Sequence, residues 1–146
     1  MKCPYILEQT YPVGDVCVVA VDLRDFDADP SGVRDSSSAI QAAIDASTAL
    51  GGGTVYIPEG RYRIDQPITL RTAVTLRGEW VSPEQDESDL RLGTLLEIYV
   101  GKNDPDGTPA ITMEACSGIQ CITFYYPEQK FNAAIPYSPT VRQHGV

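Results

Sequence analysis

From Gly53 onward the chain alternates apolar and polar residues in short runs separated by turns. Thr54-Val55-Tyr56-Ile57, Tyr62-Arg63-Ile64, Ile68-Thr69-Leu70 and Val74-Thr75-Leu76 come first. Leu95-Leu96-Glu97-Ile98, Ala110-Ile111-Thr112-Met113 and Ile119-Gln120-Cys121-Ile122-Thr123-Phe124 follow. Each run spans three to six residues and has the period of two that a half-buried strand requires. Pro58-Glu59-Gly60, Asp65-Gln66-Pro67 and Arg77-Gly78 separate them with turn chemistry. Upstream, the β-branched run Val16-Cys17-Val18-Val19-Ala20-Val21 predicts one more strand. The acidic stretch from Asp22 to Asp35, with Pro30 and Gly32, predicts a loop. Only one segment has a convincing helical period: Ile40, Ala43, Ile44 and Ser47 recur at i, i+3, i+4 and i+7. Asp35-Ser36-Ser37-Ser38 offers side chains to cap its first turn, and Ser38 with Gln41 is spaced as a capping box. Gly51 suits the left-handed position past its end.

Many short strands build either a sandwich or barrel, or a solenoid. Hairpin chemistry is scarce: Asn-Gly is absent, and the one Asp-Gly, Asp106-Gly107, lies in a polar loop. Spacing favours the solenoid. Ile57, Leu76, Leu96 and Ile122 succeed one another after 19, 20 and 26 residues, with two or three strands inside each step. That is the pattern of a chain winding round a three-sided helix. Its first coil would expose core and free strand edges unless something closed it, and a helix at 36–50 is placed to do so. The expected layout is one domain over 1–146. A leading strand and acidic loop fill 1–35, a capping helix 36–50, and the first coils 54–146. No closing helix is legible in the tail from Phe131 to Val146. The expectation is therefore that further β-helix coils follow, or that another chain covers this end.

Charge narrows the partners. Twenty acidic and eleven basic side chains give a net charge of −9, which repels phosphate backbones and anionic lipid. Neither nucleic acid nor membrane is expected as a partner, and no apolar run approaches the about 18 residues of a spanning helix. No signal peptide is legible at the start, where Glu8 follows six residues after Lys2. The cysteines, Cys3, Cys17, Cys116 and Cys121, lack CxxC spacing, and His144 is the single histidine. A structural zinc site is not expected. Buried thiols are the plainest reading, with a Cys116–Cys121 disulfide left open.

Two stretches resemble a known family. Val21-Asp22-Leu23-Arg24-Asp25-Phe26-Asp27-Ala28-Asp29-Pro30-Ser31-Gly32 through Ser38-Ala39-Ile40-Gln41-Ala42-Ala43-Ile44 resembles the opening of pectate-lyase-superfamily proteins, the rhamnogalacturonase/epimerase-like and polygalacturonase-like β-helices. Gly51-Gly52-Gly53-Thr54-Val55-Tyr56-Ile57-Pro58-Glu59-Gly60-Arg61-Tyr62 resembles the entry into their first coil. This sequence departs in the turns: Asp27 stands for a glycine, Pro30-Ser31 for Gly-Asp, and Asp35-Ser36-Ser37 for an Asp-Asp-Thr cap. The resemblance implies an all-β, right-handed parallel β-helix. It also implies an extracellular or cell-surface protein acting on polysaccharide as a glycoside hydrolase or a polysaccharide lyase. The alternative is a non-catalytic module of a tailspike or adhesin. The matched segment is structural in such proteins, so no catalytic residue carries over and catalysis is expected on coils beyond this chain.

Local chemistry supplies three residues to test for substrate binding. Phe124-Tyr125-Tyr126 places three aromatics in succession, which cannot all face one core, so Tyr125 or Tyr126 should offer a ring to sugars. Glu97 is a carboxylate on a predicted strand, expected to face solvent, with Glu114 one coil step away and able to stack beside it. Glycoside hydrolysis needs two such groups about 5–9.5 Å apart. Asp27-x-Asp29-x-Ser31-Gly32 opens like a calcium loop, but its twelfth position is Ser38 rather than Glu. The expectation is no cofactor and no metal. Trp80 is expected to pack at a coil corner, and the polar run Ser82 to Asp89 to form a solvated loop.

Overall fold

The structure, a computed structural model, describes residues 5–6, 18–81, 92–130 and 132–144. Thirteen strands and one α-helix follow one another among these residues. Strands β1 (Tyr5–Ile6) and β2 (Val18–Val19) pair antiparallel, so Tyr5 and Ile6 are extended, where no strand is expected from the local pattern. Then come β3 (Val21–Asp22), a 3-10 turn (Leu23–Phe26), β4 (Ser31–Asp35) and α1 (Ser37–Ala49). The remaining strands are β5 (Gly53–Tyr56), β6 (Gly60–Ile64), β7 (Ile68–Leu70), β8 (Val74–Arg77), β9 (Thr94–Ile98), β10 (Ile111–Met113), β11 (Gly118–Gln120), β12 (Thr123–Tyr125) and β13 (Val141–Gln143).

These strands stack into three parallel sheets. Sheet one runs β3-β5-β8-β11, sheet two β4-β6-β9-β12, and sheet three β7-β10-β13. Each coil visits the sheets in turn, so the chain is a three-sided parallel β-helix. The alternation read from sequence decides which side chains enter it. Tyr62, Ile64, Leu96 and Ile98 on sheet two point into the core, as do Val55 and Leu76 on sheet one and Ile68, Leu70 and Ile111 on sheet three. Like residues meet along the axis: Val55 beside Leu76, Tyr62 beside Leu96, Ile68 beside Ile111.

Three sequence expectations change. The step of about 20 residues mixed two sheets, because Leu76 lies on sheet one beside Val55, whereas Leu96 lies on sheet two between Tyr62 and Phe124. Real steps are uneven, 21 residues from Val55 to Leu76 and 43 from Leu76 to Ile119, since corners tolerate insertions at little entropic cost. The acidic stretch is also not all loop: β4 pairs parallel with β6, so the solenoid begins at β3 and β4, before the helix. Finally, α1 begins two residues earlier than the capping box requires. Ser36 holds the cap position without a side-chain cap bond. Its Oγ accepts from Asp29 N at 3.1 Å instead, while Asp35 Oδ1 accepts from Ser37 N at 3.0 Å.

Helix α1 takes the place of a sheet-three strand in the first coil. Ile40, Ala43, Ile44 and Ser47 are buried against the coil below. Gln41 then does what a strand would do. Its Oε1 accepts from Thr69 N at 2.8 Å and its Nε2 donates to Thr69 O at 3.1 Å, pairing the free edge of β7. The helix ends in a Schellman motif, Gly51 N donating to Thr48 O and Gly52 N to Ser47 O, both at 2.9 Å.

Candidate functional site

Sheet two carries a lateral row of outward residues. The register sets Asp35 beside Arg63, Arg63 beside Glu97, and Glu97 beside Tyr125, with neighbouring strands about 4.8 Å apart. Two of the three sequence candidates are thus brought together on one face by residues that sequence reasoning did not select. Arg61 and Arg63 alternate with Tyr62 and Ile64, so the period that buries the apolar pair turns both arginines outward.

Each arginine is held by a carboxylate. Arg61 Nε donates to Glu97 Oε1 at 2.6 Å, and its terminal nitrogen pairs with the same carboxylate. Arg63 Nε donates to both oxygens of Asp65 at 2.9 Å. The Arg63 guanidinium also lies over the Tyr99 ring, 4.2 Å from its centroid, a cation–π contact. Burial works against the charge on Asp35. Hydrogen bonds from Ser37 Oγ and N and from Asp65 N still hold its carboxyl below the ordinary range.

Glu97 does not face solvent as alternation suggested: its side chain is 1% exposed. The backbone of β4, irregular in register between Ser31 and Asp35, crosses above it. A Cβ at Gly32 would lie 3.0 Å from Glu97 Oε2 and 3.3 Å from Arg61 Cβ, so only glycine fits there without a shift. Glu114 does not stack on Glu97. It follows β10 on sheet three, where it accepts from Thr72 N and pairs with Arg71 at 3.1 Å. Those bonds, the backbone one foremost, lower its pKa.

Tyr125 is 43% exposed on the outward face. Tyr126, one residue on, packs against the core, meets Tyr137 edge-on with centroids 4.7 Å apart and shares a hydrogen bond with Thr140 Oγ1. Only Tyr125 of the pair belongs to this face. Trp80 is 48% exposed rather than packed into a corner. Cys116 and Cys121 are free thiols, each with φ of 56°. Cys3, Cys17 and the run Ser82 to Asp89 lie outside the described residues.

A second polar row, on sheet one, is closed. Asp22, Tyr56, Arg77 and Gln120 are register neighbours, and the first three are buried. Tyr56 donates to the buried Glu79 carboxylate. Burial, then this bond, pushes the Tyr56 phenol far above its ordinary range. The row holds the sheet, and of its members only Gln120 is exposed.

The acidic loop is likewise occupied by its own protein groups. Asp29 accepts from Ser31 Oγ at 2.6 Å, Ser31 N at 3.0 Å and Arg34 N at 2.8 Å, while Arg34 pairs with Asp27 at 3.4 Å. Among the described residues no group of three or more His, Cys, Asp or Glu is arranged to hold a metal. The Ser31 hydroxyl and the backbone N–H groups lower the Asp29 pKa from 3.8 to about 2. A folded-state value below the unfolded one adds stability that is complete above pH 4 and lost as pH falls from about 4 to about 2. Acid titration of the wild type should therefore show a steeper loss of stability in that window than Asp29→Ala, followed by circular dichroism. Identical slopes would show that the loop contributes nothing.

The fold and its outward polar rows define a pectate-lyase-like parallel β-helix. The sequence pattern of the family described as "Rhamnogalacturonase A/epimerase, pectate lyase-like" matches residues 20–125, and the chain belongs to that family. It is 56% identical over 92 residues to mannuronan C5-epimerase AlgE4 of Azotobacter vinelandii, covering 56% of this chain and 17% of that protein. It is 43% identical over 54 residues to the plasmin and fibronectin-binding protein A of Streptococcus pneumoniae (strain ATCC BAA-255 / R6), covering 36% of this chain and 8% of that one. The chain thus spans less than a fifth of either relative. Among solved structures, the AlgE4 A-module of Azotobacter vinelandii matches with a TM-score of 0.52 at 26% identity, over 82% of this chain and 31% of that one. ORF18 of Geobacillus virus E2 matches at 0.55 and 19% identity, over 90% and 28%, a likeness of fold alone. The right-handed parallel β-helix expected from sequence is the architecture found. No helix among the described residues is long and apolar enough to cross a membrane.

Proposed function

We propose that this chain forms the first coils of a β-helix protein that acts on polysaccharide, its reaction carried by coils other than these. The family match over residues 20–125 carries the reading, and epimerase names among the relatives support a carbohydrate-active enzyme. Within these coils Glu97 and Asp65 are paired with arginines, and Glu97 and Glu114 sit on different sheets. That arrangement supports glycan contact rather than bond cleavage here. The fibronectin-binding relative supports a second reading, a non-catalytic surface module, and with it an extracellular or cell-surface location.

Affinity electrophoresis of the 146-residue chain through gels of mannuronan, galacturonan and neutral glycans tests the reading. Parallel assays would follow reducing ends, unsaturated products and C5 inversion by proton NMR. We expect retardation by at least one glycan and no turnover. Turnover would place the reaction inside these coils, and retardation by none would defeat the polysaccharide reading.

A further inference from the structure

We propose that the outward face of sheet two, built by Arg61, Arg63, Tyr99 and Tyr125 over the buried Glu97, binds neutral sugar residues rather than uronates. The inference rests on the polysaccharide reading and names the class of glycan for this face.

Charge is the first argument. The face carries three carboxylates, Asp35, Asp65 and Glu97, against two guanidiniums. Each guanidinium is already committed, Arg61 to Glu97 and Arg63 to Asp65. A uronate carboxylate arriving here meets no uncommitted cation among the described residues of the face, and the chain as a whole carries −9. It would have to displace a built ion pair or sit beside a surplus negative charge, and both oppose binding.

Geometry is the second argument. A neutral sugar presents an apolar ring face and a rim of hydroxyls. Tyr125 offers an exposed flat ring, which can take that face without ordering a long side chain. The Arg61 and Arg63 side chains are 38% and 36% exposed. Each uses part of its five N–H donors on its carboxylate, and the rest remain able to donate to hydroxyl oxygens. The ion pairs and the Tyr99 stack fix both guanidinium planes beforehand, which lowers the cost of ordering them on binding. Tyr99 serves as a support for Arg63, since the guanidinium covers its ring. Tyr125 is left as the sugar platform.

The test compares retardation of the intact 146-residue chain in gels of galactomannan and of mannuronan at equal ionic strength. Tyr125→Ala, Tyr125→Phe and Arg63→Gln are run beside the wild type, with circular dichroism to confirm the fold. We expect retardation by galactomannan and not by mannuronan. Affinity for galactomannan should fall at least fivefold in Tyr125→Ala and hold within twofold in Tyr125→Phe. Stronger retardation by mannuronan, lost in Arg63→Gln, would overturn the neutral class while leaving the polysaccharide reading intact. Galactomannan binding unchanged in Tyr125→Ala would overturn the placement of the site on this face. Retardation by neither glycan would overturn the inference, and the reading beneath it falls only if galacturonan and the other neutral glycans fail as well.

Discussion

Gly52→Ala should destabilise the protein by about 4 kcal/mol, or prevent its folding, and the reason is a corner shared by three coils. Gly52, Ala73 and Cys116 occupy matching places, each just before a strand of sheet one. Their φ angles are 101°, 59° and 56°. The latter two lie in the left-handed region that L-residues enter at a cost of about 1 kcal/mol. Gly52 lies beyond it. A Cβ there would stand 2.5 Å from Ala73 O and 3.0 Å from Ala73 Cβ. That carbonyl cannot give way freely, because it accepts from Gly53 N at 2.9 Å. Backbone strain of about 1–3 kcal/mol therefore adds to a clash of similar size. Gly51→Ala is the control. Its φ is 97°, yet nothing lies within 4 Å of its would-be Cβ, so it bears the strain without the clash. Urea midpoints should place Gly52→Ala well below Gly51→Ala. Equal midpoints would mean that the contact with the next coil costs nothing.

The same corner shows what could be read from the chain and what could not. Gly51-Gly52-Gly53 was legible as a helix stop because three glycines after an amphipathic run have few other uses. That the second glycine is demanded by Ala73 was not legible, because the demand comes from the next coil. Sheet two divides likewise. Alternation in Arg61-Tyr62-Arg63-Ile64 told inside from outside on β6. The burial of Glu97 could not be inferred that way, since it depends on Arg61, 36 residues earlier, and on a backbone crossing at Gly32. Strand β4, Ser-Gly-Val-Arg-Asp, has no apolar alternation at all. It is a strand because β6 offers it an edge, a tertiary cause that local pattern does not carry. Uneven corners hid the lateral register, so the neighbourhood of Glu97 and Tyr125 emerged only from the stacking.

Gln41→Leu should cost about 3 kcal/mol, although the side chain is neither core nor catalytic. In the first coil sheet three has a helix where a strand would lie, and this leaves the edge of β7 to be satisfied. Gln41 meets both backbone groups of Thr69 with one planar amide, accepting at 2.8 Å and donating at 3.1 Å. Leucine has nearly the same volume and helix propensity. The third bond, from Nε2 to Asp45 Oδ1 at 3.1 Å, is exposed, so the cost reports mainly the two lost bonds to Thr69. Each leaves a partly buried backbone group unpaired, at about 1–3 kcal/mol. Gln41→Glu separates them further. An ionised carboxylate keeps the bond from Thr69 N but turns an acceptor toward Thr69 O and toward the Asp45 carboxylate that Nε2 now meets at 3.1 Å, whereas a protonated one can donate. The folded state thus favours the protonated form and raises the glutamate's folded pKa above its unfolded value. The stability this supplies is present at acid pH and lost as pH rises through the folded value. Gln41→Glu should therefore approach the wild type near pH 4 and fall toward Gln41→Leu at pH 8, in urea midpoints at constant slope. A pH-independent deficit would mean that the amide only fills space. The predicted pH dependence would show that the helix closes this β-helix by standing in for a strand, through a single side chain.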